Sequence, residues 1–228
     1  MNQPLVKELA ELGLLDEALL AEHGSVLNTV RPVSYAPNDT LYRAGEDSEI
    51  LHIIRNGLVK LVVNLPNGRT RIVRLHKRSS MIGLNGLMNQ PHEHSAIAVD
   101  DVDTYQIPHT VFRGWKEQEP QLYNQLLEKW YAYLNYADTW ITDFSSGSIK
   151  GRVARLIKFL IRFESETGPQ IVELLSTDEM ADMLGVTPES VSRVIAEFKR
   201  EGILQAIENN PESLFSCNLD KLEKQSMQ

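Results

Sequence analysis

The sequence predicts an α+β protein in three parts. These are an antiparallel β-rich N-terminal domain, a long helix, and a C-terminal winged helix-turn-helix. Three observations carry the prediction. From about Arg31, short β-rich runs alternate with turn residues at intervals of roughly ten positions. An apolar seam of helical period then runs from Tyr123 to Phe144. Last, two helices with their own cap signals flank Gly185, and a strand–turn–strand segment follows. The expected boundaries are 1–118, 119–147 and 148–228.

Leu5, Leu9, Leu12, Leu15, Leu19 and Leu20 recur at helical spacing and predict a short amphipathic helix. The strand candidates are LHII at Leu51, LVKLVV at Leu58, RTRIVRL at Arg69, AIAV at Ala96 and TYQI at Thr104. Gly45, Asn56-Gly57, Pro66-Asn67-Gly68, Gly83, Gly86 and Pro91 punctuate them. LVKLVV-NLPNG-RTRIVRL reads as a hairpin with Asn67-Gly68 at its tip, where the turn asks for positive φ. The region predicts a barrel or sandwich.

After Pro108 the texture turns helical. Tyr123, Leu127, Trp130, Leu134, Ala137, Ile141 and Phe144 follow an alternating 4-3 spacing. A seam of period 3.5 asks for a second helix alongside. A copy of the same helix across a two-fold axis is the simplest partner. A core face within one chain is the alternative. Leu122, Leu126, Tyr133, Tyr136 and Trp140 form a second stripe. Ser145-Ser146-Gly147-Ser148 interrupts the pattern and reads as a hinge. Helix resumes at Ile149 and ends at Thr167-Gly168-Pro169.

LSTDEMADMLGVTPESVSRVIAEFKREGIL, residues 175–204, is the most informative stretch. Ser176 and Glu179 make a capping box. Gly185 suits the left-handed end of the first helix. Thr187 is the N-cap of the second helix, and Pro188 takes N1, where no amide bond is lost. ILQAIENNPESLFSCNL then reads as a wing turning at Asn209-Asn210-Pro211-Glu212. An αα-hairpin inside a bundle is the rival reading. The outward residues of the second helix weigh against it. Glu189, Ser192 and Arg193 lie near its N-terminus, where such a helix enters the major groove. Arg reads guanine O6/N7, Glu accepts from cytosine, and Ser serves either. Lys150, Ser176, Thr187 and Ser190 are the candidates for DNA phosphate.

Composition bounds the rest. The chain has 228 residues, 42% hydrophobic and 24% charged, as ordinary globular proteins do. One cysteine, Cys217, excludes an intramolecular disulfide or a cysteine-held cluster and suits a reducing compartment. No apolar run approaches the roughly 20 residues needed to span a bilayer. MNQPLVKELAELGLL lacks a basic region ahead of an apolar block, so no signal peptide is expected and the cytoplasm is. No P-loop, G-x-S-x-G, H-E-x-x-H or triad marks an enzyme. The net charge of −8 opposes phosphate. Local placement matters more. Lys150, Arg152, Arg155, Lys158 and Arg162 form a basic run, and Arg193, Lys199 and Arg200 follow on the second helix. Weak non-specific binding to DNA is therefore expected.

These parts, in this order, resemble the Crp/Fnr family of bacterial transcription regulators. YAPNDTLYRAGE (35–46), LHIIRNGLVKLVV (51–63) and the hairpin are similar to the family's β-roll, which is cyclic-nucleotide-binding-like. MIGLNGL (81–87) occupies the place of its ligand-cradling turn. GRVARLIKFL (151–160) and LDKLEK (219–224) resemble the helix after the hinge and the closing helix. LSTDEMADMLGVTPESVSRVI is the most specific match. The resemblance implies a homodimer that binds double-stranded DNA at an inverted repeat and works with RNA polymerase. Glu189-x-x-Ser192-Arg193 is similar to the Fnr branch, which implies a TTGA-like half-site.

The resemblance also bears on the effector. Leu84, His94 and Ser95 stand where the family's cyclic-nucleotide pocket has a glutamate and an Arg-Ser pair. Ala137 and Asp138 stand where adenine would be touched, so cAMP is not expected. The cysteine count excludes the iron–sulfur cluster of the oxygen sensors. His52, His76, His92, His94 and His109 keep haem open as the lesser reading, with His92-Glu93-His94 read as a solvated surface turn. No metal-ligand spacing appears. Tyr133, Tyr136 and Trp140, with Leu84, His94 and Ser95, are the candidate pocket for a small apolar or aromatic effector. The rival function is an effector-binding dimer whose helix-turn-helix serves protein contacts.

Overall fold

The structure is a computed structural model. It describes residues 3–13, 17, 24–112, 124–125, 127–128, 131, 137, 140–164, 170–207 and 213–227. The chain divides into two compact units, Met1–Asn135 and Tyr136–Gln228.

The first unit opens with α1 (Gln3–Glu11), which buries Val6 and Leu9. The chain leaves the helix at Gly13, φ 72°. Leu15, Leu19 and Leu20 of the expected apolar face lie outside the described residues. Glu8 anchors the helix. Its carboxylate accepts from Arg55 Nε at 2.8 Å and from the Tyr105 hydroxyl at 2.6 Å. The Tyr105 bond comes first in holding the Glu8 carboxyl below its ordinary range. After α2 (Gly24–Leu27), eight strands follow: β1 (Arg31–Tyr35), β2 (Thr40–Tyr42), β3 (Ile50–Asn56), β4 (Val59–Asn64), β5 (Thr70–His76), β6 (Met81–Ile82), β7 (Ser95–Ala98) and β8 (Val102–Pro108).

The strands form two four-stranded antiparallel sheets, ordered β1-β8-β3-β6 and β2-β7-β4-β5. Ile54, Ile82 and Val102 from one sheet pack against Val59, Leu61, Ala96 and Ala98 from the other. Apolar faces closing on each other in this way make the β-roll. A second cluster on the other face of β3 joins Leu51 and Ile53 to Leu9 and Leu12. β3 is therefore buried on both faces, which explains its unbroken apolar run.

The β4–β5 hairpin forms, but its turn differs from the expected one. Gly68 has φ 77°, while Asn67 is not in the left-handed region. Gly68 N–H donates to Leu65 O at 2.9 Å, and Leu65 N–H to Arg69 O at 2.8 Å. Pro66 and Asn67 are thus the central pair, and Gly68 takes the bulge position behind them. Proline presets φ for the first central residue, which favours this turn over one centred on Asn-Gly.

In the second unit, residues 140–145 are helical. Gly147, φ 83°, breaks the chain, and Ser148 Oγ accepts from Gly151 N–H at 3.0 Å to start α3 (Ile149–Glu164). The elements that follow are β9 (Ile171–Glu173), α4 (Thr177–Leu184), α5 (Pro188–Arg200), β10 (Leu204–Ala206), β11 (Leu214–Cys217) and α6 (Leu219–Ser226). β10-β11-β9 is an antiparallel sheet and forms the wing. The wing turn at Asn209–Glu212 lies outside the described residues.

Two seam and stripe assignments need correction. Phe144 is 1% exposed within one chain and Trp140 is 8% exposed. Each meets Phe159 edge-on at 5.6 Å, and they meet each other at 4.9 Å. Phe144 is therefore core of the second unit and leaves the seam, and Trp140 leaves the effector pocket. Edge-to-face packing of this kind is a favoured arrangement of aromatic rings. Of the remaining seam, Leu127 and Ile141 are exposed and Ala137 is half-buried. Tyr123, Trp130 and Leu134 lie outside the described residues, as do Tyr133 and Tyr136 of the candidate pocket.

Backbone carbonyls around the expected hinge take side-chain donors. Arg152 Nε donates to Phe144 O, and Arg155 Nε to Asp143 O, both at 2.7 Å. Arg155 also reaches Ser146 O, and Ser226 O at 2.6 Å. Carbonyls at the end of a helix lack intrahelical partners, and these guanidinium groups supply them. The break at Ser145–Ser148 is a braced corner.

Candidate nucleic-acid interface and effector domain

α4 begins as its sequence asks. Ser176 Oγ accepts from Glu179 N–H at 3.2 Å, and the Glu179 carboxylate takes Ser176 N–H at 3.2 Å. Gly185, φ 64°, ends the helix with its N–H on Ala181 O at 2.7 Å. Thr187 caps α5: its Oγ1 accepts from Ser190 N–H at 3.4 Å, and Pro188 sits in the first turn. α5 buries Val191, Val194, Ile195 and Phe198 against the unit. That burial turns the other face outward.

Glu189, Ser192 and Arg193 are exposed on this face. They line one shallow surface depression with Thr177, Pro188 and Ala196. The structure therefore brings the three expected base-reading residues together. Ser176 and Thr187 are exposed and Ser190 is half-buried, each hydroxyl already inside a cap. A hydroxyl keeps a lone pair for a further donor, or a proton for a phosphate oxygen.

Lys150 does not join them. Its Nζ donates to Glu197 Oε1 at 2.8 Å and to Glu201 Oε1 at 3.1 Å. The bond from Glu197 comes first in raising the Lys150 ammonium above its usual range, and the same bond lowers the Glu197 carboxyl. Lys150 is thus a brace between α3 and α5, its ammonium engaged by two carboxylates instead of open to phosphate as expected. The rest of the basic run is largely engaged too. Arg152 and Arg155 hold carbonyls, and Lys158 pairs with Glu223. Lys199 Nζ lies 4.5 Å from the Phe215 ring centroid on the wing. Sequence adjacency alone could not show that these cations are already engaged within the unit.

In the first unit, Gly83 (φ 86°) opens the tight turn Leu84–Met88. A Cβ on Gly83 would lie 2.5 Å from Ile50 O, so both conformation and space require glycine. Leu84 is half-buried and packs on the roll core. Ser95 Oγ accepts from Ala44 N–H at 3.0 Å. His94 is half-buried, and burial is the first cause lowering its pKa. His92 is not part of a solvated turn. It is 5% exposed and stacks on Tyr42, ring centroids 3.6 Å apart. Alternating polar residues looked like surface, but β2 folds over this segment. Among the described residues, no group of three metal-ligating side chains could hold an ion. Among them, too, no helix is long and apolar enough to cross a membrane.

A β-roll followed by a winged helix-turn-helix defines a class of ligand-responsive transcription regulators. The family model of the cyclic nucleotide-binding domain matches residues 32–119, and that of the Crp-like helix-turn-helix domain matches residues 154–225. The CRP-like cAMP-activated global transcriptional regulator of Mycobacterium tuberculosis is 25% identical over 198 residues, spanning 85% of this chain and 88% of that protein. The fumarate and nitrate reduction regulatory protein of Escherichia coli is 24% identical over 205 residues, spanning 86% of this chain and 81% of that protein. The structure of FixK2 from Bradyrhizobium japonicum superposes with a TM-score of 0.75 at 21% identity, covering 86% and 96%. The chain belongs to the Crp/Fnr family of transcription regulators. It is a DNA-binding regulator with an effector-binding domain, and not an enzyme.

Proposed function

We propose that the protein is a cytoplasmic homodimer that reads a TTGA-like inverted repeat and contacts RNA polymerase, under control of an effector held by the roll. The observation that carries this reading is the exposed triplet Glu189, Ser192 and Arg193 on a helix whose opposite face is fully buried. Arg193 supplies a bidentate donor for guanine, Glu189 an acceptor for cytosine, and Ser192 an adaptable hydroxyl. The caps at Thr187 and Pro188 aim amide N–H groups at the adjacent phosphates. Two such helices spaced about one DNA turn apart would read both half-sites.

Dimerisation is supported by Leu127, Tyr131 and Ile141, large apolar side chains that one chain leaves exposed. Effector control requires that the ligand bind the active and inactive arrangements with different affinity. Leu84, His94 and Ser95 are the members of the candidate pocket that lie within the described residues. An apolar Leu84 gives a ribose hydroxyl no acceptor, so the effector is not cAMP in this reading. Fluorescence anisotropy on labelled duplexes tests the proposal. Tight binding to an inverted TTGA-like repeat, with sedimentation as a dimer, is expected. Equal affinity for a scrambled duplex at physiological salt would overturn it.

A further inference from the structure

Three side chains of the roll converge on the backbone of one residue, Gly83. His109 Nε2 lies 2.8 Å from Gly83 O, and Ser48 Oγ donates to the same carbonyl at 2.8 Å. A carbonyl only accepts, so Nε2 carries the proton and neutral His109 has its acceptor at Nδ1. Tyr42 makes a backbone hydrogen bond with Gly83. Tyr42 also stacks on His92 and lies 5.7 Å, tilted, from His52. His52, His92 and His109 are 3%, 5% and 7% exposed. Among the described residues, the Nδ1 of each has no hydrogen-bond partner. The turn rests directly on this cluster, because a Cβ at Gly86 would lie 2.2 Å from His109 Cδ2 and 2.1 Å from Ser48 O.

We infer that His52, His92 and His109 form a proton sensor, in which protonation of the cluster releases the Gly83–Met88 turn and changes the affinity for DNA. This inference deepens the reading of the protein as an effector-controlled regulator and rests on it, with the proton as one effector.

Each imidazole must stay neutral to remain where it is. A proton at Nδ1 would be a buried donor without an acceptor. Burial is the first cause holding all three below the ordinary histidine value, and neighbouring imidazoles add to it for His52 and His92. His52 is pulled from 6.5 to about 4. Glu46, on the β2–β3 connection, favours a proton on His92. Asp47 and Glu49, also on the β2–β3 connection, line a cavity with His109, whose backbone N–H donates to Glu49 O at 2.8 Å. Tyr42 stays a neutral phenol, its hydroxyl pushed up by burial, with Arg74 on β5 acting against that shift. Glu46 therefore marks His92 as the entry point, and each further proton meets repulsion from the one before. The strain falls on Gly83, since Tyr42 and His109 both bond its backbone. His76, also buried, faces Arg74 and His94 and stands outside the cluster. Histidine is the side chain whose charge neighbouring groups most readily switch near physiological pH.

The test uses the full-length protein and two independent readouts. Imidazole Cε1–H resonances are followed from pH 8 to 4 in parallel with amide exchange, corrected for its intrinsic pH dependence. All three imidazoles should titrate below 6.5, and residues 83–89 should lose protection over the same range while β4 and β5 keep theirs. Binding to an inverted-repeat duplex is then compared at pH 7.5 and 5.5. The wild type should weaken at least fivefold on acidification. The double variant His92→Phe, His109→Gln keeps the stacking ring and an Nε2-like donor but cannot take the proton, so its affinity should change less than twofold. Unchanged protection at 83–89 in the wild type, or an equal pH response in the variant, overturns the proposal. A variant that fails to fold leaves the wild-type titration and exchange to decide. Failure to bind any duplex at pH 7.5 instead overturns the regulator reading, while exchange still decides the sensor.

Discussion

Lys150 Nζ and Glu197 Oε1 lie 2.8 Å apart and tie the first turn of α3 to the recognition helix α5. The pair is braced again by Glu201. A cation spent on two carboxylates has little left for phosphate. Lys150→Ala should therefore leave the salt dependence of DNA binding unchanged. Loss of a phosphate contact would instead reduce the slope of log K against log salt by about one. A titration at several salt concentrations distinguishes the two.

Arg193 carries the opposite expectation. It is exposed on the outward face of α5. Arg193→Ala should cost about 1–3 kcal/mol with the preferred duplex and relax selection at one base pair. Equal weakening on all duplexes would show a phosphate contact instead. Competition with single-base variants of the half-site reads the difference.

The cap of α4 is a stability test free of DNA. Ser176→Ala removes the acceptor for Glu179 N–H and half of the capping box. The loss should be about 1 kcal/mol. Thermal denaturation of the second unit's transition measures it. No change would mean that water replaces the hydroxyl fully.

Acid should weaken the roll. His52 binds its proton more weakly folded, at about 4, than its ordinary 6.5. The unfolded chain therefore takes up the proton first as pH falls. His52 imposes no penalty well above 6.5, and its neutral burial becomes a growing penalty from there down to about 4. The full effect is about 3 kcal/mol. Urea unfolding at pH 7.5, 6 and 5 should show falling stability, and His52→Gln should flatten the slope. A flat wild-type profile would contradict the burial.

The turn itself can be tested by overpacking. Gly86→Ala would place a methyl 2.1 Å from Ser48 O, a backbone atom with little freedom to move. The first unit should lose about 1–3 kcal/mol or more, with the second unit's transition unaltered. Differential scanning calorimetry resolves the two.

Legibility varied with the range of the interaction. The capping box at Ser176, the left-handed Gly185 and the Thr187-Pro188 start are local, each set by a few neighbouring residues, and the structure shows them as read. Strand positions were legible from alternation and turns. What sequence spacing left open were long-range pairings. Lys150 looked like a free cation because Glu197 is 47 residues away. Phe144 looked like seam, and Trp140 like pocket, because Phe159, which packs both, lies across the corner. His92 looked like surface because Tyr42, fifty residues earlier, covers it. The signal that could have flagged it was composition: five of the six histidines share the β-rich region from Arg31 on.

The central claim is sequence-specific reading of DNA by α5. The most direct measurement is selection of random duplexes on the purified protein, followed by sequencing of the enriched pool. An inverted repeat with TTGA-like half-sites, centred about one helical turn apart, is the predicted result. A pool that stays random, or one enriched for a single unrepeated element, would contradict the account.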